Sequence, residues 1–168
     1  MRKNTRFLVQ SAMIAALYVV LTHLQNLLPG NLTWGAVQFR VSEALGILAF
    51  FTPTAIPGLG LGCLVFNLTS GAALPFDYLV GTLASVLAAF CMWKTRSITV
   101  KGLPLLGLFM PAVFNSLLVG WELAVYIGGG FAFNAVCVAL GELGVLLTLG
   151  IFLFYAIKKR KLDEKLFR

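Results

Sequence analysis

Charge is scarce in this sequence. Asp, Glu, Lys and Arg make up 11% of its 168 residues while 60% are hydrophobic; a soluble domain carries about 25% charged residues. An ordinary water-soluble globule is thereby excluded. There are only six acidic residues and one histidine, His23, so no histidine-rich metal constellation can form. Three cysteines, Cys63, Cys91 and Cys137, sit inside apolar runs without a C-x-x-C spacing. They read as small buried residues and not as a disulfide framework or a zinc site. No G-x-x-x-x-G-K-[ST] phosphate loop is present, nor any Gly-Lys pair, so the chain is not expected to hydrolyse nucleotide by itself. No catalytic residue, cofactor or metal is assigned, and no soluble domain, low-complexity tract or internal repeat is visible.

What is present is apolar length. Arg6 and Arg40 bound 33 uncharged residues, and Glu43 and Asp77 bound another 33. Four further charge-free gaps of 16, 20, 19 and 15 residues follow, ending at Lys94, Glu122, Glu142 and Lys158. A bilayer crossing takes about 20 mainly apolar residues. The first gap therefore supplies one span, closed by Pro29-Gly30, and the second is divided by Pro53 and Pro57 into two short ones. The pattern predicts an all-α membrane protein, a single integral domain over residues 1–168 with six spans near 7–28, 42–52, 54–70, 76–93, 103–127 and 130–157. The first run is longer than a signal-peptide core and lacks an A-x-A cleavage site, so it is expected to be retained. The sequons at Asn31 and Asn67 read as chance matches.

Net charge is +7, which in a soluble chain would suggest nucleic acid. The positions of the cations argue otherwise. With both termini cytoplasmic, Arg2, Lys3, Arg6, Lys94, Arg96, Lys101, Lys158, Lys159, Arg160, Lys161, Lys165 and Arg168 all fall inside, leaving Arg40 as the outer cation. Cytoplasmic segments then carry +10, counting Asp163 and Glu164, and the remainder carries −3. The partner this implies is a lipid bilayer, not a nucleic acid.

Ionisable groups at membrane depth are costly and usually face a bundle interior or a cavity. Glu43, Asp77 and Glu122 fall in the outer half and Glu142 near the midplane. Asn67 and Asn134 also fall towards the outside. Asn115 and Glu122, seven residues apart, share a helix face about 10 Å apart, with Phe114 and Trp121 on the adjoining strip. Trp34, Gln38 and Arg40 sit just above. These groups describe a cup open to the outside. Simpler roles stand beside that reading: amides as interhelical glue, Glu43 and Asp77 as helix-start residues with Ser42 as N-cap, Arg40 paired with Glu43, tryptophans as an interfacial belt, and His23 as a satisfied polar residue. Ala12 and Ala16 form a small-xxx-small step that lets another helix approach, whether within the bundle or from a partner.

Four stretches together resemble the QueT family: Val37-Gln38-Phe39-Arg40-Val41-Ser42-Glu43-Ala44-Leu45, Ile56-Pro57-Gly58, Phe114-Asn115-Ser116-Leu117 and Ala139-Leu140-Gly141-Glu142. The resemblance implies a six-helix substrate-binding (S) component of an energy-coupling factor transporter. Such a component captures a queuosine precursor, queuine or another 7-substituted 7-deazaguanine, and works in the bacterial cell membrane with a transmembrane coupling subunit and two cytoplasmic ATPases. In that setting Ala12 and Ala16 look like the contact with the coupling subunit. A 7-deazaguanine offers adjacent N–H donors that a carboxylate accepts in parallel and a flat ring that stacks on an aromatic face. The residues assigned to it are Glu122 or Glu142 at the pairing edge with Asn115, Asn134 and Gln38 assisting, Asp77 and Glu43 at the substituent, Trp34 and Trp121 as walls, and Asn67 and Arg40 as further substrate-binding residues. Three alternatives stay open: a proton-coupled carrier using Glu142, a structural subunit, and an S component for another vitamin or purine-like ligand.

Overall fold

The computed structural model describes residues 3–27, 37–71 and 73–167. Trp34 and the sequon at Asn31 lie outside the described residues. Among them, regular structure is helical: α1 (Lys3–Asn26), a 3₁₀ segment (Val41–Phe50), α2 (Ala55–Thr69), α3 (Asp77–Thr95), the short α4 (Leu105–Leu108), α5 (Met110–Tyr126), α6 (Phe131–Val145), a π turn (Leu146–Gly150), α7 (Ile151–Lys159) and α8 (Leu162–Phe167). Four stretches are long and apolar enough to cross a membrane: Lys3–Asn26, Asp77–Thr95, Leu105–Tyr126 and Phe131–Lys159. Val41–Phe50 and Ala55–Thr69 are apolar but shorter.

The second segment explains its own brevity. Ten residues as α-helix would reach about 15 Å, whereas the 3₁₀ form, at roughly 2.0 Å per residue, reaches about 20 Å. Seven of its ten residues are buried, from Ser42 to Phe50, because it stands at the centre and touches α1, α2, α3, α6, the π turn and α7. Around it the helices pack in the sequence α1–α2–α3–α5–α6. Ile47, Phe50, Leu59, Phe66, Met92 and Phe154 lie in one buried apolar cluster beside it.

Glycines set the close approach of α1 and α2. A Cβ on Gly58 would lie 2.8 Å from Ile14 Cβ, and one on Gly62 would lie 2.7 Å from Tyr18 Cβ. Gly58 and Gly62 thus form the small-xxx-small step of the α1–α2 contact, on α2 and not on α1. Ala12 and Ala16 are exposed on the outward face of α1, so their step does not pack the bundle. On the other side of the molecule, Gly120 of α5 lies against the backbone of Ala135 in α6.

Three details differ from the expected elements. The fifth span is interrupted at Phe109, and α5 restarts with Pro111 in its first turn, where a missing N–H costs nothing. The sixth is one continuous helical run, 131–159, carrying the π turn. Ser42 is not an N-cap: its hydroxyl accepts from Thr22 Oγ1 at 2.7 Å.

Candidate functional site

The polar groups gather on one chain of contacts, which starts at α1. Its buried face consists of Ser11, Ile14, Tyr18, Thr22 and Gln25, spaced by three or four residues so that they share a side. Four of the five carry a polar side-chain atom, the reverse of a soluble amphipathic helix, because lipid takes the apolar side. Tyr18 donates its hydroxyl to Glu43 Oε1 at 2.5 Å. Thr22 bonds Ser42, and Gln25 accepts from the Val41 N–H at 2.7 Å while its amide donates to the Phe39 carbonyl. Three successive rungs of α1 thereby fix residues 39–43 and aim Arg40 and Glu43 inward.

Residues 37–40 run as an extended strap across α6. A Cβ on Gly141 would collide with the Gln38 carbonyl, and Phe39 lies against Gly144. Only glycine at 141 lets the strap pass so close to the helix that carries Glu142. Glu142 Oε1 accepts from the Asn115 amide at 2.6 Å. Four residues after Glu142 the helix widens into its π turn, a feature frequent at functional sites.

A second carboxyl pair lies between α3 and α5. Asp77 Oδ2 accepts from the Leu74 N–H at 2.6 Å, closing the turn before α3, and the Asp77 carbonyl accepts from the Asn67 amide at 2.8 Å. Glu122 is completely buried, and Asp77 is the charged group that acts on it most strongly. Buried Arg40 links the two pairs: it interacts electrostatically with Glu43, Asp77, Glu122 and Glu142, and its guanidinium lies 5.8 Å from the centroid of Phe66. Arg40 is thus the cation whose field reaches all four of Glu43, Asp77, Glu122 and Glu142. Asn115 and Glu122 do share the inward face of α5, but they serve different neighbours, Glu142 on α6 and Asp77 on α3.

The unmet hydrogen-bonding capacity of this site is acceptor-rich. Both oxygens of Glu122, Glu142 Oε2 and Asn67 Oδ1 are buried without a hydrogen-bond partner. Leaving such an atom unpaired costs about 1–3 kcal/mol, more for a charged group. Four such acceptors, on groups connected through Asp77 and Arg40, are chemistry suited to a ligand rich in N–H donors.

Other assigned residues fall elsewhere. Trp121 is 54% exposed on the outside of α5, so it is not a wall of the buried cluster; one residue from Glu122 is a rotation of about 100°. The Asn134 amide donates to the Gly128 carbonyl at 2.7 Å and holds the α5–α6 turn, in which Gly128, Gly129 and Gly130 all have positive φ. Gln38 is partly buried in the strap. His23 meets the Thr69 hydroxyl at 3.0 Å and the edge of Phe66. Tyr18, Thr22 and Gln25 escaped the sequence reading because none is charged; their common spacing with Ser11 was the available signal. Among the described residues, no three of His, Cys, Asp and Glu gather as metal ligands, and the three cysteines are free thiols.

A family model described as QueT transporter matches residues 8–159. A curated protein of Lactococcus lactis subsp. cremoris, Queuosine precursor transporter QueT, is 36% identical over 86 residues, which are 51% of this chain and 48% of that relative. The match thus spans about half of each chain. No solved structure matches.

Proposed function

Because this chain belongs to the QueT transporter family, a family of multi-pass bacterial membrane proteins, we propose that it is the substrate-capture component of an energy-coupling factor importer and binds a queuosine precursor of the 7-deazaguanine type. The observation that carries the ligand assignment is the cluster of buried acceptors on Glu122, Glu142 and Asn67. A deazaguanine presents ring N–H and exocyclic amine donors side by side, which one carboxylate accepts in parallel, and a cationic substituent satisfies a second carboxylate. Arg40 keeps the cluster from being four uncompensated acids. Glu122 receives the pairing edge, with Asn67 and Asp77 beside it. Glu142 and Glu43, under the strap, receive the substituent. Entry from the outside requires the 37–40 strap to part from α6.

Energy comes from elsewhere, since the chain has no phosphate loop. The exposed strip of Ala12 and Ala16 on α1 offers the transmembrane coupling subunit a close-packing surface, and two cytoplasmic ATPases complete the machine. Both termini face the cytoplasm, six segments cross or enter the bilayer, and residues 1–168 act as one integral unit.

A thermal-shift screen of the purified protein against 7-deazaguanines, purines and vitamins tests the reading. Ligand stabilisation follows RT ln(1 + [L]/Kd), so a precursor at 100 times its Kd adds about 2.7 kcal/mol. A 7-aminomethyl-7-deazaguanine or queuine is expected to raise the melting temperature while guanine does so less. A shift produced only by an unrelated vitamin transfers the reading to another ligand.

A further inference from the structure

Asn67 stands among carboxylates as an amide, and which end of that amide is free decides what it can read. The oxygen accepts and the nitrogen donates, so a flip reverses its meaning. Here the nitrogen is committed. Asn67 Nδ2 donates to the Asp77 carbonyl at 2.8 Å and lies 3.5 Å from Sγ of Cys63, four residues earlier on the same face of α2. Turned over, the amide would set its oxygen against the Asp77 carbonyl, two acceptors in contact with no proton between them. Gly81 of α3 closes a third side: a Cβ there would lie 3.0 Å from Asn67 Nδ2 and 3.4 Å from Cys63 Sγ. Oδ1 is left buried without a hydrogen-bond partner among the described residues, on a side chain 4% exposed.

Cys63 has two sides. On one it joins the apolar cluster of Leu59 and Phe66, as a small buried residue should. On the other its sulfur, a weak acceptor, meets the Asn67 amide, the hydroxyls of Tyr18 and Ser85, and the charges of Arg40 and Glu43. The thiol therefore closes the apolar core against the polar cluster at the point where Asn67 is oriented. Asn67 and Glu122 in turn adjoin Asp77 from two directions, Asn67 through the Asp77 backbone carbonyl and Glu122 through its side chain.

The exocyclic 2-amine of a 7-deazaguanine carries two N–H donors. One runs parallel to the ring N–H and is accepted with it by Glu122 in the proposed function. The other points away from that carboxylate and needs an acceptor of its own, since a buried donor left unpaired is costly. We propose that Asn67 Oδ1 is that acceptor, and that Cys63 is a positioning residue which, with the Asp77 carbonyl, holds the amide so that its oxygen faces the ligand. This rests on the proposed function and adds what the site reads: the 2-amine. A ligand without that amine leaves Asn67 Oδ1 unpaired.

The full chain, purified in detergent, is titrated by calorimetry with 7-aminomethyl-7-deazaguanine and with the same compound lacking its 2-amine. The native protein is expected to favour the first by about tenfold or more, because bonds to Glu122 and to Asn67 are lost together. Asn67→Leu should shrink that preference by about three- to tenfold, the worth of one neutral hydrogen bond. General damage to the site would weaken both compounds alike and leave their ratio as it was. Gly81→Ala, whose methyl crowds the amide nitrogen, serves if the Asn67 variant does not fold. Cys63→Val, which removes the sulfur acceptor, should lower the preference by about threefold, and Cys63→Ser, which supplies an acceptor again, should hold it. A ratio unmoved by the Asn67 or Gly81 variant, or identical ratios in Cys63→Val and Cys63→Ser, would overturn the proposal. Equal affinity of the native protein for the two compounds would overturn it while the proposed function stands. A native protein that binds neither compound would remove the proposed function and this assignment together.

Discussion

Glu122 is the residue whose chemistry is most exposed to test. It is completely buried beside Asp77 and the Phe76 backbone, and neither oxygen reaches a partner with good hydrogen-bond geometry, so in the proposed site its carboxylate offers two acceptor oxygens to a donor pair. Glu122→Gln preserves shape but replaces one acceptor with a donor. Affinity for the deazaguanine measured by calorimetry should fall by about 1.5–3 kcal/mol, the range of a charge-assisted hydrogen bond, with the melting temperature of the free protein maintained or raised. Unchanged affinity removes Glu122 from the pairing edge. That this residue faces inward was legible in the spacing from Asn115. That its neighbour is Asp77, and that Asn115 turns to Glu142, was not: a shared helix face does not say which helices flank it.

At the scale of elements, α1 has two faces with separable duties. Its inward face meets Gly58 and Gly62 of α2 and holds Glu43 through Tyr18. A side chain at position 62 would strike Tyr18 at its Cβ, 2.7 Å away, which a rotamer change cannot relieve. Gly62→Val should therefore cost at least the ~1–3 kcal/mol of overpacking, seen as a lower melting temperature, and should weaken ligand binding because Tyr18 moves. The outward face behaves differently. Ala12→Trp with Ala16→Trp adds bulk only on the exposed side, so melting temperature and ligand affinity should hold while co-purification of the coupling subunit is lost. Loss of ligand binding in that variant would assign the strip to the bundle itself. The stripe of small residues on α1 was legible in the sequence, but its direction was not, since an apolar helix shows little contrast between lipid-facing and protein-facing sides.

For the whole molecule, the testable property is dependence on partners. Vesicles containing this chain alone should not accumulate a 7-deazaguanine, whereas vesicles that also hold the coupling subunit and both ATPases should do so only with ATP. Uptake by the lone protein, abolished by dissipating a proton gradient or by Glu142→Gln, would instead identify a proton-coupled carrier. The geometry that makes the first outcome expected is the arrangement of Glu142: it is bonded to Asn115 and linked to Arg40 and Glu43, one member of a shared cluster and not an isolated proton site.

Hydrophobic run length and the distribution of cations were enough to reveal a membrane protein and to suggest its orientation, because both follow from the cost of placing charge in hydrocarbon and need no knowledge of contacts. The same cost marked Glu43, Asp77, Glu122 and Glu142 as candidate site residues, and all four are buried. Packing settled the rest. The 3₁₀ form of Val41–Phe50, the rungs from Tyr18, Thr22 and Gln25 to the strap, the outward turn of Trp121 and the position of Arg40 among four acids depend on which helix lies beside which. Hydrogen-bond partners far apart in the chain meet only when helices close to within a glycine's width, as at Gly62 and Gly141, and that closeness is a property of pairs of surfaces, not of any single stretch of residues.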